Sequence, residues 1–148
     1  MKLSPKTLLA AITLPVLMTA CASNGDNMQK ITAQDLQHHN WELVSVDGKD
    51  IVIEGRDQAP RLEIGEKMMA NGNAGCNNFF GQAELNGNQM RIDKMGMTMK
   101  MCVGDVMDVE NAFSKTLTDW SDVSLTKDSL VLKNDVHTLT FKLNDWKN

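Results

Sequence analysis

The sequence predicts a mainly β domain with one helix set into it, and three observations carry that reading. Short runs rich in β-branched and apolar residues recur, separated by Asp-Gly and Asn-Gly pairs that suit tight hairpins. One segment, 105–120, breaks that pattern and places Val106, Val109, Phe113, Leu117 and Trp120 at steps of three and four, the spacing of a helix face. The chain has 148 residues, 42% of them hydrophobic, which is enough for one core but not for two full-sized domains.

Taken in order, the chain opens with an address. Lys2 and Lys6 precede an apolar stretch from Thr7 to Leu17, too short to span a bilayer, and Thr19, Ala20 and Cys21 follow. This is the layout of a secretory signal peptide covering residues 1–20. Met18-Thr19-Ala20-Cys21 resembles the bacterial lipobox, in which the cysteine is acylated and becomes the mature N-terminus. Met18 departs from the leucine usual at its position, and an ordinary secreted protein with a chance cysteine is the alternative. Ala22 rather than Asp after the cysteine implies sorting to the outer membrane. The expectation is therefore an envelope lipoprotein whose membrane partner is reached through a lipid on Cys21, facing the periplasm. Residues 21–30 read as a polar, flexible linker, and the domain as residues 31–148.

Trp41 to Val46 is the first strand, closed by the turn pair Asp47-Gly48. Ile51-Val52-Ile53 and Arg61-Leu62-Glu63-Ile64 follow as short strands, and Asn71-Gly72 and Asn86-Gly87 read as turns. Val123-Ser124-Leu125 continues the chain after the helix, and 129–132 with 137–143 make a final hairpin around Asn134-Asp135. Leu139, Phe141 and Leu143 share one face of the last strand, with Thr138, Thr140 and Lys142 on the other. The helix of 105–120 has Asp105 as its N-cap, and its apolar stripe needs a partner. It is expected to plug one open side or end of a curved antiparallel sheet.

Charge and composition exclude classes of function. A formal net charge of −4 argues against nucleic acid as a partner, since a phosphate backbone needs clustered Lys and Arg. Neither Gly-x-Ser-x-Gly nor His-Glu-x-x-His occurs, so the chain reads as non-enzymatic and free of cofactors.

The cysteines and methionines carry what chemistry there is. With Cys21 assigned to lipidation, Cys76 and Cys102 remain, and in an oxidising periplasm such a pair commonly forms a disulfide. Closing a loop of about 27 residues contributes on the order of 3 kcal/mol. A reactive or zinc-binding pair is the competing reading, disfavoured by the lack of Cys-x-x-Cys and of a histidine at ligand spacing. The stretch from Asn71 to Gly81 is rich in Gly and Asn. It reads either as a polar binding loop formed by Asn73, Gly75, Asn77, Asn78 and Phe79, or as a tight connection pinned by Cys76 and anchored in the core, and the second is favoured. Met95, Met97, Met99 and Met101 alternate with other residues. On a strand they would form one thioether face: core filler by preference, a Cu(I) site or an adaptable partner surface otherwise. His38 and His39 face opposite ways on an extended chain, and with His137 they read as solvated or hydrogen-bonded.

Trp41-Glu42-Leu43, Gly75-Cys76-Asn77-Asn78-Phe79-Phe80-Gly81, Met97-Thr98-Met99-Lys100-Met101-Cys102 and Leu139-Thr140-Phe141 together resemble the META domain family, over roughly residues 31–145. The resemblance implies a small, curved antiparallel β-barrel or half-barrel with a packed helix, and a secreted or envelope protein linked to heat shock or stress. It brings no catalytic residues. The expected function is stress tolerance through binding an unidentified protein partner. The alternatives are Cu(I) handling by the methionine face and carriage of a small ligand inside the barrel.

Overall fold

The computed structural model describes residues 29–52 and 59–145. The predicted signal peptide 1–20, the acylation site Cys21 and all but the end of the linker 21–30 lie outside the described residues. After a four-residue helix α1 (Ala33–Leu36), nine strands follow: β1 (His39–Val46), β2 (Lys49–Asp50), β3 (Arg61–Ile64), β4 (Met69–Asn73), β5 (Asn78–Asn86), β6 (Gln89–Met97), β7 (Ser121–Leu125), β8 (Ser129–Lys133) and β9 (Thr138–Leu143). Helix α2 (Val106–Thr118) lies between β6 and β7.

Every pairing between neighbouring strands is antiparallel, and β1 pairs with β9 as well as with β3, so eight strands close into a barrel. β2 adds only two residue pairs to the end of β1. Alternation supplies the core. Trp41 and Leu43, Leu62 and Ile64, Met90 and Ile92, Leu130 and Leu132, and Leu139 and Phe141 all point inward and are buried. In an eight-stranded barrel such side chains are enough to fill the interior.

The wall has one short pairing, and the helix packs on strands around it. β6 and β7 share only the pairs Gln89↔Asp122 and Met90↔Ser121, and α2 packs against β6, β8 and β9. Phe113 on its inner face is fully buried, 5.5 Å from the Phe79 ring and 5.9 Å from the Phe141 ring. The plugging role expected from the apolar stripe is the one observed. Asp105 occupies the N-cap position without making a side-chain cap bond. Trp120 lies beyond the helix end, with the Arg91 guanidinium 4.8 Å from its ring centroid.

Three local expectations need correction. Asn71-Gly72 is no turn: both residues sit inside β4, and Gly72 pairs with Leu62 and Phe79. A Cβ at Gly72 would come within 2.0 Å of the Arg61 carbonyl oxygen, so the glycine is there for close strand approach. The reversal falls at 74–77 instead, where Gly75 takes φ +133°. Ile51 and Val52 lie past the end of β2: the Ile51 N–H still reaches the Val44 carbonyl (3.0 Å), but the paired residues end at Asp50 and Val52 is 80% exposed; Ile53 lies outside the described residues. Finally, the methionine strand ends at Met97, so Met99 and Met101 do not share a face with Met95 and Met97. Helix α1, which a Thr32–Asp35 capping box starts, had no counterpart in the sequence reading.

Candidate functional site

The turn after β4 is held from two sides. On one side stands Glu110, a buried carboxylate on α2. Its Oε2 accepts the backbone N–H groups of Cys76 (2.9 Å) and Asn77 (2.6 Å), and its Oε1 accepts Asn77 Nδ2 (2.7 Å). On the other side is the chain beyond β6. Asn77 Oδ1 accepts the Thr98 hydroxyl (2.8 Å) and the Lys100 N–H (2.6 Å), while Asn77 Nδ2 also donates to the Lys100 carbonyl (3.0 Å). Glu110 thus ties the 76–77 segment to α2, and Asn77 carries the connection on to 98–100, so three segments meet at one node. The Cys76–Cys102 disulfide joins the same two segments, with Cα atoms 5.9 Å apart. Gly75 packs beneath α2, where an added Cβ would stand 3.2 Å from the Val106 carbonyl oxygen.

Of the predicted binding loop, Asn77 and Phe79 are therefore committed to the interior, Phe79 against Phe113. Asn73 and Gly75 are half-buried, and the Asn73 side chain accepts from Gly75 N (2.8 Å) and donates to Asn78 Oδ1 (3.0 Å). Only Asn78 is exposed, and its N–H goes to Thr98 Oγ1. This is the geometry of the pinned connection. Glu110 escaped the sequence reading, yet it left a signal. It falls four residues after Val106 and three before Phe113, a carboxylate on the apolar stripe of the helix.

The consequence of the node is the segment it holds. The segment from β6 to α2 is gripped by Asn77 at 98–100 and by the disulfide at 102, and the side chains between these grips stand outward. Met99, Met101 and Val103 are 93%, 87% and 95% exposed. Met95 and Met97 are partly buried against the core. The predicted thioether face is thus divided, two sulfurs inside and two in solvent. Beside the node a cleft of about 500 Å³ opens between the start of α2 and the β1–β2 hairpin, with Val46, Ile51, Pro60 and Val109 among its apolar walls and Asp50 and Asp108 at its edge.

The histidines find carboxylates rather than one another. His39 Nδ1 lies 2.8 Å from Asp145 Oδ2, His137 Nδ1 2.8 Å from Asp47 Oδ2, and His38 3.5 Å from Glu66. The Thr138 N–H, then the His137 ring and the nearby Lys49, hold the Asp47 carboxyl below its ordinary value. For Asp145, burial pushes the carboxyl up, but the Asn40 N–H and His39 together outweigh it and leave it lowered. Among the described residues, no three His, Cys, Asp or Glu side chains stand where they could hold a metal ion.

Fold and node together define a class: a closed eight-stranded antiparallel barrel, plugged by a helix and stapled by a disulfide beside the plug. The sequence pattern of the META domain matches residues 34–146, and the chain belongs to the META domain family. It is 34% identical to the heat shock protein HslJ of Escherichia coli (strain K12) over 144 residues, which cover 97% of this chain and 99% of that protein. A protein solved by NMR superposes with a TM-score of 0.69 at 34% identity, covering 80% of this chain and 99% of the other. Another NMR structure, of a protein from Burkholderia xenovorans, gives 0.61 at 21% identity over 95% of this chain and 99% of its own, and shares the fold.

Proposed function

We propose that this META-domain protein is a lipid-anchored component of the cell envelope that takes part in heat-shock or envelope stress tolerance by binding a protein partner, with no catalysis of its own. The name of the related HslJ supports the link to heat shock. The order of charged, apolar and small residues up to Cys21 supports the envelope and the anchor.

One observation carries the binding role: Met99, Met101 and Val103 stand almost fully in solvent on a segment that the disulfide and Asn77 hold in place. Apolar side chains displayed close together on a held backbone favour an interaction surface, since part of the ordering cost of binding is already met. Methionine suits partners of varied shape because its unbranched thioether repacks easily. Core side chains, Phe113 among them, occupy the barrel interior, which supports a surface site over one in the lumen.

The test is photo-crosslinking in living cells with a photoreactive residue at Val103, and with one at Lys127 on the β7–β8 turn as control. Discrete adducts from position 103 that increase under heat stress are expected, with none from 127. Equal labelling from both positions would remove the reading. Mass spectrometry of the envelope protein should find Cys21 as an acylated N-terminus, and an unmodified Cys21 would refute the anchor.

A further inference from the structure

We propose that Met99 and Met101 form an oxidation site through which peroxide-class oxidants turn off the apolar strip. The effect on binding rests on the docking role proposed above; the site itself stands on geometry. Thioether oxidation follows exposure, and the described methionines differ widely in it. Met90 is 1% exposed and Met68 9%, Met69 reaches 50%, and Met99 and Met101 stand at 93% and 87%. The two most exposed of the described methionines are two residues apart on one held segment.

The chemistry balances with peroxide alone. A sulfur lone pair attacks one peroxide oxygen, the S–O bond forms and the O–O bond breaks. The departing hydroxide takes the remaining proton and leaves as water. Sulfur is oxidised by two electrons and the peroxide is reduced by two. The neighbouring Cys76 and Cys102 offer no competing thiolate, being already joined to each other. The hydrogen bonds from Asn77 to Thr98 and Lys100 do not involve the thioethers. Oxidation therefore changes what the segment presents and not how it is held. Two of the three apolar side chains become polar sulfoxides, leaving Val103 alone. Sulfoxide reductases can reverse the change, so the strip can return to its apolar form.

The experiment treats the folded, full-length protein with limiting hydrogen peroxide and follows each methionine by peptide mass spectrometry. Met99 and Met101 should each gain one oxygen at least an order of magnitude faster than Met90, with Met69 between. Uniform uptake, or uptake led by Met90, would overturn the site. The second arm uses the crosslinker at Val103. Adducts should disappear on oxidation of the parent protein and survive the same treatment in a Met99→Leu/Met101→Leu variant. Adducts that persist after both methionines are fully oxidised would overturn the switch and leave docking intact. Adducts missing before any oxidation would defeat the docking role and the switch with it, while the oxygen uptake still judges the site.

Discussion

Asn77 uses both ends of its amide, and among the side chains of its size only an amide offers both a donor and an acceptor in these places. Its oxygen accepts from Thr98 and Lys100, while its nitrogen donates to Glu110 and to the Lys100 carbonyl. Leucine of similar size would leave the Lys100 N–H and one Glu110 oxygen without these partners, and aspartate would set a second carboxylate against Glu110. Asn77→Ala is expected to cost about 2–3 kcal/mol, since several partners are orphaned at once. The measurement is denaturant unfolding, joined to limited trypsin digestion. Cleavage after Lys100 should be slow in the parent protein and fast in the variant, because the grip on 98–100 is gone. If the variant resists trypsin as well as the parent does, the disulfide alone holds the segment. Sequence reading reached this loop through its glycines and asparagines, but it could not say which way they faced. The partner, Glu110, lies 33 positions further along the chain.

Periodicity made the helix legible and left β4 hidden. The helical stripe read over 105–120 is a local signal; the structure forms the helix and buries Phe113 and Leu117, but ends it at Thr118 and leaves Trp120 outside it. Phe113→Ala should cost about 3–5 kcal/mol, because the fully buried ring packs against both Phe79 and Phe141. A loss under about 1 kcal/mol in calorimetry would mean that the plug is dispensable. Asn71-Gly72 shows the opposite case. Both residue types favour a turn, yet the strand forms because Gly72 lets β3 approach more closely than any side chain would permit, a long-range requirement that leaves no local trace. The two assignments separate on substitution. A turn makes both residues costly to change. The observed strand makes Gly72→Ala cost about 3 kcal/mol or more, and exposed Asn71→Ala within about 0.5 kcal/mol, by chemical denaturation. The methionine run failed for a related reason: alternation continues to Met101, but hydrogen bonding to β5 ends once Asn77 captures the chain at Thr98.

At the scale of the molecule, the sequence left open whether the sheet closes, because closure depends on β1 meeting β9 about a hundred residues later. Closure is secured at both ends of that pair by the same device, an aspartate that accepts a backbone N–H and a histidine ring. At one end Asp47 takes Thr138 N and His137 Nδ1, each at 2.8 Å. At the other Asp145 takes Asn40 N and His39 Nδ1, each at 2.8 Å. Both carboxyls titrate below their ordinary value of 3.8. A carboxyl whose folded value is depressed binds its proton more readily in the unfolded chain, so acid favours unfolding. The stabilisation is complete above 3.8 and is lost as pH falls through the lower folded values. Both pairs are partly open to solvent, so the effect is modest and weakens with salt. An Asp47→Asn/Asp145→Asn variant should be less stable than the parent at neutral pH, and the gap should narrow as the pH is taken below 3.8. Denaturant midpoints across that range measure it. Parallel curves would mean that the aspartates close the barrel through hydrogen bonds that survive protonation, with their charge contributing nothing to the seam.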